Sequence, residues 1–278
     1  MTDISIESLQ FVIVLYKQKF SDCNSVNTLF KLYGGKNISI LVYDNSPSPQ
    51  EIAKSDSWEI SYIHDVQNSG LGKAYNVAAQ IAEKNNKKFL FLLDQDTSFP
   101  SESLEIYLDS IKQSPEVKLF SPILYIDTNL IMSPSKVHLK WGRFISSIEP
   151  GLYFFKDYVP VNSGMCIELD AFKKAGGYNE NIKLDGSDFQ FIERFSKNHK
   201  KFCVIDLRAN QDFSLNDDNF NSVLHRYKIF LSDLHFFESH TLYDTLCYQR
   251  IKFVRTAILF KQFKKMIFLK LYFQSFFK

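Results

Sequence analysis

Residues 88–97 read KFLFLLDQDT, an apolar run that ends in two aspartates separated by one residue. A short continuous apolar run is typical of a strand that a parallel sheet buries on both faces. Two earlier segments have the same character, LQFVIVLY at 9–16 and ISILVYDN at 38–45, and the second also reaches an aspartate, Asp44. We therefore expect three strands of one sheet, two of them ending in carboxylates.

The segment between the second and third strands has the periodicity of a helix. Its apolar residues recur at i, i+3, i+4, i+7 and i+8, namely Ala74, Val77, Ala78, Ile81 and Ala82. Strand, helix and strand in succession predict parallel pairing and an α/β fold. Further helices are expected at about 100–113 and 187–198, short strands and loops at 120–161, and a helical region after Asn210.

The composition is that of a folded protein. The chain has 278 residues, of which 45% are hydrophobic and 23% charged, with a formal net charge of +2. This length fits either one large domain or one domain plus a small appendage. The sequence shows neither a signal peptide nor an apolar run of roughly 18 residues, so we expect a cytoplasmic protein. No metal or redox spacing relates the cysteines, so we expect reduced thiols at Cys23, Cys166, Cys203 and Cys247.

Polar residues at strand ends are the first candidates for a site, because ligands of open α/β sheets bind there. Asp44 and Asn45 end one strand, although such residues also begin ordinary turns. Asp94 and Asp96 end another, with no Lys or Arg close in sequence. Mg²⁺ or Mn²⁺ prefers one or two carboxylates together with phosphate oxygens and water. The sequence therefore predicts a divalent cation on Asp96, supported by Asp94, that binds a diphosphate.

A glycine-containing loop, NSGLGKAYN at 68–76, leads into the predicted helix. A helix N-terminus favours anions, and glycines let the backbone approach a ligand. The loop lacks the third glycine of the dinucleotide-binding fingerprint, where Tyr75 stands, and also the first glycine and the Ser/Thr of the Walker pattern. Dehydrogenase and NTPase functions are therefore disfavoured.

Six segments in order resemble the family-two inverting glycosyltransferases of the GT-A fold: FVIVLYK, LVYDNSP, NSGLGKAYN, LLDQDTSFP, VNSGMCIELDAFKKAGGYNE and LDGSDFQF. The resemblance covers about residues 8–215 and is greatest to the bacterial rhamnosyltransferase branch. It implies a Rossmann-like, mostly parallel central sheet flanked by helices. The implied catalytic domain is 1–215, with a donor half at about 8–97 and an acceptor half at about 98–215. A helical C-terminal extension would follow at 216–278.

The resemblance also implies roles for single residues. Asp44 would contact the nucleotide base, Asp94 would lie near the ribose, and Asp96 would hold Mg²⁺ or Mn²⁺ on the diphosphate. The full set of implied donor-binding residues is Asp44, Asn45, Asn68, Gly70, Lys73, Asp94, Gln95, Asn162, Ser163 and Gly164. Turns between strands are the structural alternative for several of them.

On the acceptor side, the resemblance matches Asp188 to the catalytic carboxylate, with Asp185 in reserve. Such a carboxylate would accept the proton of the acceptor hydroxyl as its oxygen attacks the anomeric carbon, giving inversion. The alternative is a simple helix cap. Many relatives carry a histidine soon after this helix, whereas this chain has Asn210-Gln211-Asp212. Either Gln211 or Asp212 would substitute, or metal binding would be weaker.

The C-terminal end is basic and aromatic. Residues 250–278 read RIKFVRTAILFKQFKKMIFLKLYFQSFFK, and no acidic residue follows Asp244. This pattern predicts an interfacial helix on an anionic membrane leaflet, with a helix packed on the domain as the alternative. Nucleic-acid binding is disfavoured because aliphatic residues are dense and no recognition motif is present.

The sequence thus predicts a metal-dependent inverting glycosyltransferase of bacterial cell-surface polysaccharide, such as capsule. The resemblance favours dTDP-rhamnose as donor, with a UDP-hexose as the substitute, and a glycan or polyprenyl-linked acceptor. The enzyme would be peripheral on the inner face of the plasma membrane, and a homo-oligomer is compatible with the sequence. Two alternatives stay open: a catalytically silent GT-A scaffold or partner subunit, and a glycosidase with two carboxylates, which would leave the glycine loop unexplained.

Overall fold

The structure is a computed structural model that describes residues 4–30, 38–53, 57–212 and 219–277. The described strands are β1 (Leu9–Leu15), β2 (Ile38–Asp44), β3 (Trp58–His64), β4 (Phe89–Asp94), β5 (Thr97–Ser98), β6 (Leu119–Asp127), β7 (Leu130–His138), β8 (Trp141–Ile145), β9 (Gly151–Phe154), β10 (Tyr158–Val159), β11 (Cys166–Glu168) and β12 (Lys201–Gln211). The described helices are α1 (Leu71–Lys84), α2 (Ser103–Gln113), α3 (Leu169–Lys174), α4 (Ser187–Asn198), α5 (Phe220–Asp233), α6 (Leu242–Phe263) and α7 (Ile267–Gln274). The predicted domain boundary at 215–216 lies outside the described residues.

The strands form one mixed sheet with the order β10-β7-β6-β11-β4-β1-β2-β3. β3, β2, β1 and β4 are parallel, which is the part that the strand-helix-strand pattern predicts. β11 joins this part to the rest through antiparallel pairs with β4 and β6, and β12 runs parallel to β6. The structure confirms the predicted α/β fold with flanking helices and a helical C-terminal region.

Both faces of the sheet are covered by apolar layers, and β1 shows why. Val12 and Val14 enter the layer that α1, α3 and α4 cover, whereas Phe11, Ile13 and Leu15 enter the layer that α2 covers. Because strand side chains alternate between faces, a strand in this position is buried at every residue, and β1 is apolar at all of them except Gln10, whose side chain donates to backbone carbonyl oxygens. The Phe11 ring lies 5.0 Å from both the Phe30 and the Phe91 ring.

The C-terminal helices form a third apolar cluster of their own. Tyr227 and Phe230 of α5 pack with Ile251 of α6 and Phe268 of α7, and Ile182 joins them from the loop that precedes α4. The extension therefore packs directly on that loop. No helix in the described part of the chain is long and apolar enough to cross a membrane.

Candidate donor and catalytic site

Asp44 and Asp94 lie at the same edge of the sheet. β1 runs between β2 and β4, and the register pairs Asp44 with Leu15 and Asp94 with Val14. Both aspartates end apolar parallel strands, so the sheet brings them to its carboxyl edge, where ligands of such sheets bind. This confirms the prediction that two strands of one sheet end in carboxylates, Asp44 and Asp94.

Asp94, Asp96 and Asp188 form a cluster of negative charge at this edge. Burial raises the pKa of Asp94, and the charges of Asp96 and Asp188 raise it further. Burial also raises the pKa of Asp96, which the Arg226 charge partly offsets. Within the described residues, no ion pair reaches Asp94 or Asp96. A carboxylate cluster with this excess charge is suited to a cation.

The two strand-end carboxylates fit a cation that shares its ligands with a substrate. In the described ranges, no group of three or more His, Cys, Asp or Glu side chains is arranged to hold a metal ion by itself. Mg²⁺ commonly binds through one or two carboxylates and completes its shell with phosphate oxygens and water. Asp94 and Asp96 would supply that number of protein ligands.

A chain of hydrogen bonds joins Asp96 to Ser163. The Gln211 amide donates to Asp96 Oδ1 at 2.5 Å, and the Gln211 side-chain oxygen accepts from the Thr97 hydroxyl. The Thr97 and Ser163 hydroxyl oxygens lie 2.6 Å apart, and the Asp94 amide donates to Ser163 Oγ over 3.3 Å. Gln211, which belongs to the segment where many relatives carry a histidine, thus orients the Asp96 carboxylate. Ser163 is held at the strand end with it.

Asn162 and Gly164 shape the turn on either side of Ser163. Asn162 Oδ1 accepts from the Tyr178 hydroxyl at 2.6 Å. Gly164 has a φ of +79°, and a Cβ there would lie 2.6 Å from Pro122 Cγ, so the position favours glycine twice over. These contacts give both residues a structural part in a turn that the resemblance assigns to the sugar pocket.

Gln95 contacts the end of β1. Its side-chain oxygen accepts from the Tyr16 amide at 2.9 Å, and its side-chain nitrogen donates to the Tyr16 carbonyl oxygen at 3.4 Å. Its own carbonyl oxygen accepts from the Asn24 amide at 2.9 Å. The side chain between the two aspartates therefore anchors their loop to the neighbouring strand.

The glycine loop is fastened to the segment that precedes α4. Gly70 has a φ of +94°, and a Cβ there would lie 2.4 Å from the Lys183 carbonyl oxygen, which also accepts from the Leu71 amide at 3.1 Å. Lys73 Nζ lies 3.0 Å from a Glu180 carboxylate oxygen. Asn68 precedes this contact, with a φ of +49°. The glycine loop is thus joined to residues 180–183, which lie in the predicted acceptor half.

Asp44 and Asn45 differ in how their side chains are satisfied. Asp44 is fully buried and accepts from the Ser46 amide, the Gln50 amide and the Tyr62 hydroxyl, each at 2.9 Å. Burial alone would raise the pKa of Asp44, but these hydrogen bonds bring it below its usual value. The side-chain oxygen of Asn45 is buried and has no hydrogen-bond partner in the described residues. A buried acceptor of this kind is costly unless a ligand completes it.

Asp185 is held by two arginines of the C-terminal helices. Arg226 Nη2 of α5 lies 2.8 Å from Asp185 Oδ1, and Arg255 Nη1 of α6 lies 2.7 Å from Oδ2. Burial would raise the pKa of Asp185, but the charges of Arg255 and Arg226 lower it overall. A carboxylate with a lowered pKa is a weak base.

Asp188 lies three residues after Asp185, and its pKa is shifted in the opposite direction. It begins α4, accepts from the Phe189 amide at 2.8 Å, and makes no ion pair within the described residues. Burial raises its pKa to about 7, and the charge of Asp185 contributes to the rise. A base works best when its pKa lies near the working pH, so Asp188 has the properties that proton abstraction needs.

Four residues near this site were not predicted from the sequence. The Tyr75 hydroxyl is buried beside Asp94 without a hydrogen bond of ordinary geometry, and Tyr178 packs against its ring at 5.0 Å. Tyr75 could have been found from the sequence, because it belongs to the glycine-loop motif at 68–76. Arg226 and Arg255 had no signal, since more than 40 residues separate Asp185 from the nearer of them.

A cavity of about 530 Å³ opens beside α4. Phe189, which follows Asp188, lines it together with Phe154, Tyr248 and Glu193. None of the predicted donor-binding or catalytic residues lines this cavity. It is therefore a separate space next to α4, the helix that carries Asp188.

The family of the chain follows from comparison with known proteins. The model for the family described as glycosyl transferase family 2 matches residues 23–175, which include Asp44, the pair Asp94 and Asp96, and the glycine loop. This chain belongs to glycosyl transferase family 2. No curated protein sequence matches it.

Solved structures show the same fold at low identity. A crystal structure of GalNAc-T7 with UDP, GalNAc and Mn²⁺ is 13% identical, with a TM-score of 0.53, and the match covers 75% of this chain and 44% of that one. S. aureus TarS is 15% identical with a TM-score of 0.47, covering 84% of this chain and 44% of TarS. Its fragment 1–349 gives 14% and 0.44, covering 88% and 78%. The family match and the likeness to GalNAc-T7 give this chain the GT-A fold, and the match spans less than half of the GalNAc-T7 chain.

Proposed function

We propose that this family-two protein is an inverting glycosyltransferase that uses a nucleotide-diphosphate sugar and a divalent cation. The observation that carries the proposal is the arrangement at the sheet edge. Asp188, free of ion pairs in the described residues and with a pKa of about 7, faces the charge of Asp94 at the end of a parallel strand. A base and a cation-binding pair are the two parts that this reaction needs.

Asp96 and Asp94 would hold Mg²⁺ or Mn²⁺. The mutual repulsion of these carboxylates supports this, as does the Mn²⁺ found together with UDP in the GalNAc-T7 crystal structure. The cation would neutralise the charge that develops on the departing diphosphate. Gln211 keeps the Asp96 carboxylate in position, and Thr97 and Ser163 support Gln211.

Asn45 and the glycine loop would bind the nucleotide part of the donor. The buried side-chain oxygen of Asn45 accepts a hydrogen bond from the nucleobase, which completes an acceptor that the protein leaves open. Asp44 has little hydrogen-bonding capacity left for the nucleoside, because its carboxylate already accepts three hydrogen bonds from protein donors. Asn68 and Lys73 lie at the start of α1, whose N-terminus favours the diphosphate charge.

Asp188 would act as the general base. It accepts the proton of the acceptor hydroxyl while the oxygen forms a bond to the anomeric carbon. The bond from that carbon to the diphosphate oxygen breaks, and its electron pair leaves with the diphosphate. Attack from the face opposite the leaving group inverts the anomeric configuration. Asp185 does not share this task, because its two arginines lower its pKa.

The sugar and the acceptor are finer parts of the proposal. The resemblance of the D-Q-D-T segment favours a rhamnosyl donor such as dTDP-rhamnose, with a UDP-hexose as the substitute. A glycan or a polyprenyl-linked glycan of a bacterial surface polysaccharide is the proposed acceptor. The cavity beside α4 offers room for its non-reacting end, since Phe189 at its wall is adjacent to the base.

The test is a panel of nucleotide sugars offered to the purified protein with and without Mn²⁺ or Mg²⁺, read as thermal shift and slow donor hydrolysis. One donor should raise the melting temperature only when metal is present. Asp188→Asn and Asp96→Ala should abolish turnover while the exposed Asp109→Asn on α2 keeps it. If no donor is bound or hydrolysed and the two site variants retain the cellular function, the protein is a silent scaffold and the proposal is wrong.

A further inference from the structure

The outward face of α6 is apolar and basic. Its inward face is a continuous stripe made of Cys247, Tyr248, Ile251, Lys252 and Thr256. The outward face of a surface helix is ordinarily polar. Here Leu246, Phe253, Val254 and Ile258 are exposed instead, Phe253 by 58%.

Helix α7 extends this surface. The Tyr272 ring lies 6.2 Å from Phe253 of α6, 5.3 Å from Phe273 and 5.1 Å from Phe276. Phe273 is 62% exposed, and Phe277 beyond the helix is 91% exposed. The α6–α7 face consists of the exposed residues Leu246, Phe253, Val254, Ile258, Phe273, Phe276 and Phe277. The ring contacts that join Phe253, Phe273 and Phe276 through Tyr272 distinguish this face from the single exposed apolar residues found on most proteins.

The charge around the α6–α7 face has one sign. No acidic residue follows Asp244, which is buried and paired with Lys140 at 2.7 Å. Arg250 and Lys261 follow Leu246 on the same side of α6 at helical spacing, and both are exposed. Further exposed lysines follow at Lys264, Lys265 and Lys270. A partner that matches this face needs negative charge at its surface, for the basic side chains, and an apolar layer under that surface, for the apolar side chains.

We propose that the α6–α7 face docks on the surface of a bilayer that contains anionic phospholipids. The phenylalanine side chains enter the boundary between headgroups and acyl chains, and the lysines and Arg250 contact lipid phosphates. The charge complementarity favours this partner over a second copy of the chain, because two such faces would bring their positive charges together.

The same helix connects this surface with the catalytic loop. Arg255, on the inward side of α6, lies 2.7 Å from Asp185, three residues before the proposed base Asp188. A bilayer at the outward side would bring a lipid-linked acceptor to the side of the molecule that holds the base. This last step rests on the proposed function, whereas the docking itself does not.

The docking is tested by sedimentation of the full chain with vesicles of phosphatidylcholine and phosphatidylglycerol, compared with phosphatidylcholine alone. Wild type should sediment with the anionic vesicles and be released by high salt. Phe253→Ser with Phe273→Ser, and separately Arg250→Glu with Lys261→Glu, should each weaken this binding on the order of tenfold. The matched control is Val66→Ser with Leu152→Ser, which removes two exposed apolar side chains elsewhere and should bind as wild type does.

Three results would overturn the docking proposal. They are equal binding to neutral vesicles, no binding to either kind, and a dimer in sedimentation equilibrium that the Phe253 and Phe273 changes dissociate. Circular dichroism melts show whether each variant is folded. If the double serine variant does not fold, the double glutamate variant still tests the proposal.

Donor hydrolysis in solution separates this proposal from the proposed function. If vesicle binding fails while a nucleotide sugar is still hydrolysed, the docking proposal alone is wrong. If vesicles are bound but no nucleotide sugar is bound or hydrolysed, glycosyl transfer is wrong and the docking proposal stands.

Discussion

Single carboxylates at this site differ because their surroundings differ. Asp185 has two arginines and a lowered pKa, whereas Asp188 has none within ion-pair distance in the described residues and a pKa raised to about 7. We expect Asp188→Asn to lower kcat on the order of a thousandfold while the donor still binds. For wild type, kcat/KM should rise with pH through about 7, where the base loses its proton. A flat profile would contradict this assignment.

The raised pKa of Asp188 also has a cost in stability. Between pH 3.8, the ordinary pKa, and about 7, the folded state holds this proton more tightly than the unfolded chain does. The free energy of unfolding therefore falls as pH rises through that range. Asp188→Asn removes the penalty, so its melting temperature should exceed that of wild type at about pH 8 and match it at about pH 4. Thermal melts at the two pH values check this, with Asp109→Asn as the variant that should show no difference.

Asn45 provides a test of the donor side. Its buried side-chain oxygen has no partner in the described residues, so a donor nucleobase should complete it. Asn45→Ala should raise the KM for the donor about tenfold with little change in kcat. The exposed Asn129→Ala between β6 and β7 should leave both constants unchanged. An unaltered donor KM in Asn45→Ala would show that the nucleobase binds elsewhere.

Among the elements, those with regular apolar patterns were predictable. β1, β2 and β4 are continuous apolar runs, and α4 occupies Ser187–Asn198, the range its pattern predicts. β12 was not predicted, although its burial alternates as in a half-buried strand, because it follows directly on α4 without a turn signature. The Asp185 ion pairs were also beyond the sequence, since they depend on how α5 and α6 pack.

The packing of α6 against the loop that precedes α4 has a measurable consequence. Arg255→Gln leaves the buried Asp185 with one arginine and should lower the free energy of unfolding by about 2 kcal/mol. Adding Asp185→Asn should restore part of this loss, so that the double variant is less destabilised than the sum of the single changes. The exposed pair of Arg208 and Asp206 is the matched control, and Arg208→Gln should cost less than about 0.5 kcal/mol. Additive losses at Asp185 and Arg255 would contradict the coupling.

At the scale of the whole molecule, the cavity beside α4 lies apart from the donor edge of the sheet. Phe154 lines it and is partly exposed. If the non-reacting end of the acceptor occupies this cavity, Phe154→Ala should raise the acceptor KM about fivefold and leave donor hydrolysis unchanged. Leu152→Ala, on the same strand but outside the cavity lining, is the control. Equal acceptor KM values for both variants would place the acceptor elsewhere.

In the proposed function, Asp94 and Asp96 would hold a cation against a diphosphate, and calorimetric titration measures this binding directly. UDP or dTDP should bind wild type only when Mn²⁺ or Mg²⁺ is present, and Asp96→Ala should lose that binding while Asp188→Asn retains it. Equal binding without metal, or normal metal-dependent binding by Asp96→Ala, would contradict the account.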